Sequence, residues 1–243
     1  MAITERHTTG SGVKIRYLDN APADPVGLPI VFSPGLTDFA DEYVEMLEFF
    51  APRRVLAVEV RGRGGSEAPL DGYAVADHIT DLEAVIEEEG FERFHMMTFS
   101  RGTSWALDLA LAAPERVATF SIGDYLAFEL GLPEGWATTQ MEERFRGKPM
   151  KDRVQHHVLE GLQRQSKHRQ LWDRLPELNC PMLVARGSEG GLVSEENAAR
   201  FKAARPDIEI VVIPGAEHDL FRPVRLAYPR AVAEFIVRRT PGL

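Results

Sequence analysis

The sequence predicts an α/β fold, with a mostly parallel central sheet and helices on both faces. Short apolar runs, typical of buried strands, recur along the chain, and stretches with apolar residues at helical spacing separate them. Strands joined through helices lie parallel in one sheet, because the crossover between them is right-handed. The length of 243 residues fits one large domain, and we predict a single domain over residues 1–243.

The predicted elements alternate along most of the chain. The expected strands are short and largely apolar, and the first alternates weakly enough to suggest an edge strand; they are 14–19, 29–33, 54–60, 94–99, 117–122, 181–186 and 208–213. The expected helices carry apolar residues on one side; they are 39–50, 74–89, 102–113, 195–204 and 224–238. Residues 125–178 break the pattern, since they hold polar helical sequence without an obvious strand. We predict that they form a helical cap over the sheet.

Composition excludes several classes of function. The net charge of −9 disfavours nucleic acid and anionic membranes as partners, because both require a basic face. The single cysteine, Cys180, permits neither an internal disulfide framework nor a cysteine-based metal site. The sequence contains no apolar stretch of about 20 residues and no signal-like start. We therefore expect a cytoplasmic protein that acts on a small molecule without a cofactor; its oligomeric state stays open.

Ser100 lies where an apolar run ends and a helical stretch begins at once. A strand, a sharp turn with serine at its apex, and a helix form the arrangement known as a nucleophile elbow. The usual pattern is Gly-x-Ser-x-Gly, and here Thr98 replaces the first glycine while Gly102 keeps the second. The motif predicts a nucleophilic serine, provided that the chain also supplies a base and an oxyanion hole.

His218 is the candidate base. It follows the predicted strand 208–213 after a short turn, and it is the one histidine just beyond the carboxyl end of a strand. Reacting groups in open parallel sheets lie at that edge. For the oxyanion hole we expect the backbone N–H groups of Arg101, the residue after the serine, and Leu36, behind Pro34–Gly35.

These segments together resemble the α/β-hydrolase fold superfamily over nearly the whole chain. The resemblance lies in PIVFSPGLTD, VLAVEVRGRGGS, MMTFSRGTSWALDLALAAPERV, PMLVARG and VVIPGAEHDLF, in this order. It implies a serine nucleophile, a carboxylic acid and a histidine base in that chain order, and a helical cap after the sixth strand, at about 125–178.

The acid departs from the usual pattern of this superfamily. Relatives place an aspartate in the loop after the seventh strand, where this chain has Gly191. Asp124, at the end of the sixth strand, and Glu189 in that loop are both candidates. We favour Asp124, because a strand-end aspartate makes a shorter and stiffer connection to imidazole.

The resemblance implies hydrolysis of a carboxylic ester, a thioester or a lactone through an acyl-enzyme on Ser100. A carbon–carbon bond hydrolase with the same triad is an alternative. A second alternative is a small-molecule binding protein that has kept the fold and lost turnover. A nucleotide enzyme is disfavoured, because the glycines of 61–66 fit neither phosphate-binding motif.

Overall fold

The computed structural model describes residues 3–242 of the protein. Its centre is an eight-stranded sheet. The strands are Thr4–Thr8, Ile15–Asp19, Ile30–Ser33, Val55–Glu59, Phe94–Thr98, Val117–Gly123, Met182–Gly187 and Glu209–Ile213, labelled β1 to β8. Their order in the sheet is β1-β2-β4-β3-β5-β6-β7-β8. In this order, every pair of adjacent strands from β4 through β3 to β8 is parallel, whereas β1–β2 and β2–β4 are antiparallel. The predicted fold class is confirmed, and only residues 1, 2 and 243 of the predicted domain lie outside the description.

The edge of the sheet differs from the expectation. The polar segment Thr4–Thr8 forms β1 and pairs along the whole length of β2, so β2 is an inner strand with all five residues buried. Four of the five β1 residues are exposed, which is why the segment lacks the apolar periodicity that predicts a strand. A short polar edge strand also protects the sheet from pairing with other chains.

Helices cover both faces of the sheet and bury one apolar cluster on each. They are Val44–Phe50, Val75–Glu88, Gly102–Ala112, Trp136–Glu142, His156–Gln165, Glu195–Ala204 and Ala227–Arg239, labelled α1 to α7. Helices α2 and α3 pack over one face, with Leu82 and Trp105 in the larger cluster. Helices α1 and α7 pack over the other face, with Leu47 and Phe235 in its cluster. The predicted helix 39–50 is divided, since Ala40–Tyr43 is a 3-10 turn before α1.

Residues 125–178, hereafter the insert, carry α4, α5 and two 3-10 turns, Met150–Asp152 and Trp172–Glu177. They also contain two small antiparallel ladders, Phe128–Glu129 with Arg169–Gln170 and Arg144–Phe145 with Lys148–Pro149. The expectation of no strand in this segment was therefore wrong; two-residue strands are too short to show periodicity. The insert has its own apolar cluster, against which Leu36 of the core packs.

The carboxyl ends of β3, β5, β6, β7 and β8 share one edge of the sheet, because these strands are parallel. The loops that follow them carry every candidate site residue named from the sequence. None of the helices within residues 3–242 is long and apolar enough to cross a bilayer.

Candidate active site

Ser100 occupies a strained turn between β5 and α3. Its φ of 50° lies in the left-handed region, which a non-glycine residue adopts only when its surroundings hold it there. Its N–H donates to the Gly123 carbonyl at 2.8 Å, and its carbonyl accepts from Thr103 at 2.9 Å. At Gly102 a Cβ would lie 2.2 Å from the Pro34 carbonyl oxygen, so the turn requires glycine there. The strand–turn–helix geometry agrees with the elbow that the sequence predicts.

Thr98 fits the position where the usual motif has glycine, because its buried hydroxyl forms hydrogen bonds there. The side chain is buried, and Oγ1 lies 2.8 Å from Oγ1 of Thr103 and donates to the Ser121 carbonyl at 3.0 Å. The position where the backbones of β5 and β6 approach too closely for a side chain is instead Gly123, where a Cβ would lie 2.6 Å from the Thr98 carbonyl oxygen. The departure from the motif is therefore compensated on the adjacent strand.

Three side chains from separate loops form one hydrogen-bonded chain. His218 Nε2 lies 2.9 Å from Ser100 Oγ, although 118 positions separate the two residues. His218 Nδ1 lies 2.7 Å from Asp124 Oδ2. The Asp124 carboxylate is completely buried and also accepts from the N–H groups of Leu192 and Val193, at 2.9 and 3.1 Å. A carboxylate in this position can accept the proton of Nδ1, which places the Nε2 lone pair toward Ser100 Oγ.

Of the two candidate acids, the structure brings Asp124 and not Glu189 to the histidine. The Glu189 carboxylate instead accepts from the Ser188 hydroxyl at 2.8 Å and is exposed. Gly191, in the slot where relatives carry aspartate, has a φ of 119°, and a Cβ there would lie 2.3 Å from Asp124 Oδ2. The carboxylate of Asp124 thus occupies the space that a side chain at 191 would need.

The two expected oxyanion donors lie on loops that touch each other. Ser33 accepts from Phe99 N–H at 3.0 Å through its carbonyl, and its hydroxyl donates to the Gly102 carbonyl at 3.1 Å. Within residues 3–242, neither the Leu36 nor the Arg101 N–H donates to another group. Both amides are therefore available to a developing negative charge. Asp38 tightens the Leu36 loop, because its Oδ2 accepts from Gly35 N–H at 2.8 Å.

The Arg101 side chain is buried at the start of α3. Its Nη2 donates to the Leu130 carbonyl at 3.0 Å and to the Ser166 hydroxyl at 2.6 Å, both in the insert. Arg63, which sequence reasoning did not single out, lies below the Leu36 loop and donates from Nε to the Leu36 carbonyl at 2.7 Å. The alternation of arginine and glycine in 61–65 is a weak signal for it.

Arg146 joins the insert to the Leu36 loop and to the loop that carries His218, and sequence reasoning also missed it. Its φ is 49°, and its guanidinium is bound by Asp219, next to His218, at 2.8 and 3.0 Å. It also pairs with Glu42 at 3.1 Å and lies 3.8 Å from Asp38 on the Leu36 loop. Burial raises the pKa of Asp38, an effect that the charge of Arg146 opposes. The arginine side chain is only 6% exposed, so these charges meet away from bulk water.

A cleft of about 540 Å³ opens beside His218, the one member of the hydrogen-bonded chain that lines it. Its walls come from the insert at Phe145 and from the loops after β7 and β8, with Glu189, Glu217, Asp219 and Arg222 among them. Phe99 stacks on the His218 ring at a centroid distance of 5.3 Å. The part of the chain that the structure describes has no cluster of three His, Cys, Asp or Glu side chains suited to a metal.

The fold agrees with sequence and structure comparisons. The model of the alpha/beta hydrolase family matches residues 30–235. Over 108 residues the chain is 35% identical to a protein of Variovorax paradoxus strain S110 that carries the name carbamate hydrolase RutD, covering 43% of this chain and 40% of that protein. Over 114 residues it is 34% identical to a non-heme chloroperoxidase of Streptomyces lividans, covering 46% and 41%. These matches span about two fifths of each relative.

A solved structure shares the fold over its whole length. The enol-lactonase from Burkholderia xenovorans LB400 superposes with a TM-score of 0.80 at 17% identity, covering 96% of this chain and 100% of that one. At this identity the likeness concerns the fold. The family match covers most of the chain, from β3 to the closing helix α7, and includes all the loops at the site. The protein is therefore a member of the alpha/beta hydrolase family.

Proposed function

We propose that the protein hydrolyses a carboxylic ester through an acyl-enzyme on Ser100. The observation that carries the proposal is the continuous hydrogen-bonded chain from Ser100 Oγ through the His218 ring to the Asp124 carboxylate. A serine hydroxyl is a weak nucleophile at neutral pH and becomes effective when a positioned imidazole removes its proton. Family membership supports hydrolysis as the type of reaction.

In the proposed first step, Ser100 Oγ attacks the ester carbonyl carbon while His218 Nε2 takes the hydroxyl proton. The tetrahedral intermediate carries its negative charge on the former carbonyl oxygen, which the N–H groups of Leu36 and Arg101 stabilise. The bond to the alkoxy oxygen then breaks, and His218 returns its proton to the departing alcohol. Buried Asp124 stabilises the imidazolium between these two transfers, without itself taking up a proton.

The second step releases the acid. Water gives a proton to His218 Nε2 and attacks the acyl carbon, and a second tetrahedral intermediate forms against the same two amides. The bond to Ser100 Oγ breaks as the imidazolium returns the proton to the serine. One water is consumed, and one alcohol and one carboxylic acid are formed for each ester.

We further propose that the insert, residues 125–178, caps the site. Its contacts with Arg101 through Leu130 and Ser166, and its apolar cluster around Leu36, favour this role. A cap of this kind covers the acyl group and excludes water from the reacting atoms. We expect the apolar surface of that cluster to face the substrate when the insert opens.

The proposal is tested with a fluorophosphonate probe and short-chain p-nitrophenyl esters. We expect one probe per chain, lost in Ser100→Ala, and ester turnover that disappears in the same variant. Ser104→Ala is a matched control, because this buried serine lies four positions further on and its hydroxyl donates to the Arg101 carbonyl. A folded protein with neither labelling nor turnover would instead indicate a binding protein with this fold.

A further inference from the structure

Two buried arginines beside the proposed oxyanion hole lack carboxylate partners. Arg63 is 1% exposed and Arg101 is 4% exposed, and neither forms an ion pair with any acid in residues 3–242. A buried guanidinium is normally paired, because burying an isolated charge is costly. The other buried arginines follow this rule, in the pairs Arg16–Glu59, Arg61–Asp81 and Arg153–Glu42.

Each of the two guanidinium groups also keeps a buried nitrogen without a hydrogen-bond acceptor. Nη2 of Arg63 and Nε of Arg101 have no partner among the described residues. The remaining donors of Arg63 are used, since Nε donates to the Leu36 carbonyl and Nη1 to the Arg61 carbonyl at 2.5 Å. An unsatisfied buried donor on a charged group is rare in folded proteins, and its explanations are strain, an ordered water or ion, or a functional role.

The neighbouring groups do not neutralise these charges. Asp81 is already bound by Arg61 at 2.7 and 2.8 Å. His78 is a neutral neighbour, because burial lowers its pKa well below the usual value and Arg63 lowers it further. Its Nε2 lies 3.2 Å from Arg63 Nη1, and its Nδ1 lies 2.9 Å from the Ala74 carbonyl oxygen, which fits a ring protonated on Nδ1 alone.

Glu129, an acid of the insert whose charge acts on Arg101, is likewise engaged. Its Oε2 accepts from Arg169 at 2.7 Å and its Oε1 from the Lys167 N–H at 2.9 Å. Burial lowers the pKa of Arg63 to about 9, and the nearby charge of Arg101 acts in the same direction. The surroundings of the two arginines therefore remain positive, although the whole chain has a net charge of −9.

We propose that the substrate carries a carboxylate, which binds the free N–H groups of Arg63 and Arg101 while its ester lies at Ser100. This inference rests on the proposed ester hydrolysis and names its substrate class, a monoester of a dicarboxylic acid or a similar acid ester. Both arginines lie next to the proposed reacting atoms, because Arg101 directly follows Ser100 and Arg63 donates to the carbonyl of Leu36. Both free nitrogens are closed to solvent, so binding requires the insert to move away from Arg101.

The test compares two substrates that differ in one charge, p-nitrophenyl hydrogen adipate and p-nitrophenyl methyl adipate. We expect kcat/KM to be about ten- to a hundredfold higher for the acid, the range for hydrogen bonds to a charged group. Arg63→Gln and Arg101→Gln should each reduce this ratio toward one. Arg174→Gln is the control and should keep the ratio, because this arginine is exposed and pairs with Glu177. A ratio near one in the unmodified protein, or an unchanged ratio in both variants, would overturn the inference.

A binding measurement separates this inference from the proposed reaction. In Ser100→Ala, calorimetry should show monomethyl adipate binding at least about tenfold more tightly than dimethyl adipate. This result does not depend on turnover or on the folding of the arginine variants. Equal binding of the two compounds would refute the carboxylate site even if esters are hydrolysed. If monomethyl adipate binds more tightly but the fluorophosphonate probe does not label Ser100 in the unmodified protein, the carboxylate site is supported and the proposed reaction is refuted.

Discussion

Replacing Asp124 by asparagine is expected to lower kcat for ester hydrolysis by about 10⁴-fold. Its carboxylate accepts from three N–H donors: His218 Nδ1 at 2.7 Å, Leu192 at 2.9 Å and Val193 at 3.1 Å. Asparagine has the same outline but only one acceptor oxygen, and its NH₂ group is a donor. Whichever way the amide is turned, this group meets an N–H that previously had an acceptor.

Both orientations of the amide impair the histidine. If the NH₂ group faces Val193, the contact to His218 persists, but the negative charge that stabilises the imidazolium is lost. If it faces His218, the ring must carry its proton on Nε2 and can no longer accept the proton of Ser100. A 10⁴-fold decrease corresponds to an increase of about 5.4 kcal/mol in the activation barrier.

The assay is the release of p-nitrophenol from a short-chain ester, with circular dichroism to verify folding. Glu189→Gln is the matched control, because this acid lies in the loop beside the cleft and its carboxylate contacts Ser188 rather than His218. We expect its kcat to stay within about threefold of the unmodified protein, as for most exposed substitutions. A larger loss in Glu189→Gln than in Asp124→Asn would refute the assignment and move the acid to the seventh-strand loop.

Two further predictions concern the surroundings of the site, and a third concerns the stability of the fold. Gly191→Ala should lower kcat in the same ester assay at least about tenfold, because the new Cβ would lie 2.3 Å from the Asp124 carboxylate. Gly190→Ala is the control: this glycine also has a positive φ, but its Cβ would meet no atom of residues 3–242 within 4 Å, so most activity should remain. Equal losses would point to loop strain alone. Arg146→Gln should lower kcat about tenfold, because it releases Asp219 and with it the loop that carries His218. Arg144→Gln is the control and should leave the rate of ester hydrolysis unchanged, because Arg144 is exposed. Acidification from pH 7 to pH 5 should lower the free energy of unfolding by about 2 kcal/mol through His95. In the unfolded chain this imidazole gains a proton near pH 6.5, whereas in the folded protein burial lowers its pKa to about 3 and keeps it neutral. Urea unfolding at both pH values measures this, and an undiminished loss in His95→Gln would contradict it.

The parts of the fold that the sequence predicts are those with strong local patterns. Buried parallel strands are continuous apolar runs, and covering helices repeat every three or four residues, so both are visible without tertiary information. The polar strand β1, with four of five residues exposed, and the two-residue strands of the insert carry no such pattern. They form because a neighbouring backbone offers hydrogen bonds, which is a property of the folded chain.

The candidate nucleophile and the candidate base could be located from local sequence. A serine between a strand and a helix, and a histidine just after a strand, both lie at the carboxyl edge of a parallel sheet. Asp124 and Glu189 were both compatible with the sequence, because each lies in a loop at that same edge. Only the folded structure shows which of them contacts His218: Asp124 lies 2.7 Å from the ring, in the space that Gly191 leaves free.

The positive charge near Ser100 was determined by tertiary structure alone. Sequence gives the number of arginines, but pairing depends on which side chains meet after folding, and most of the buried ones find a carboxylate. Arg63 and Arg101 come from separate loops and are buried without one, beneath an insert that lies between β6 and β7 in the chain. The burial of a charge and the absence of its partner are both long-range outcomes, so no local pattern could have indicated them.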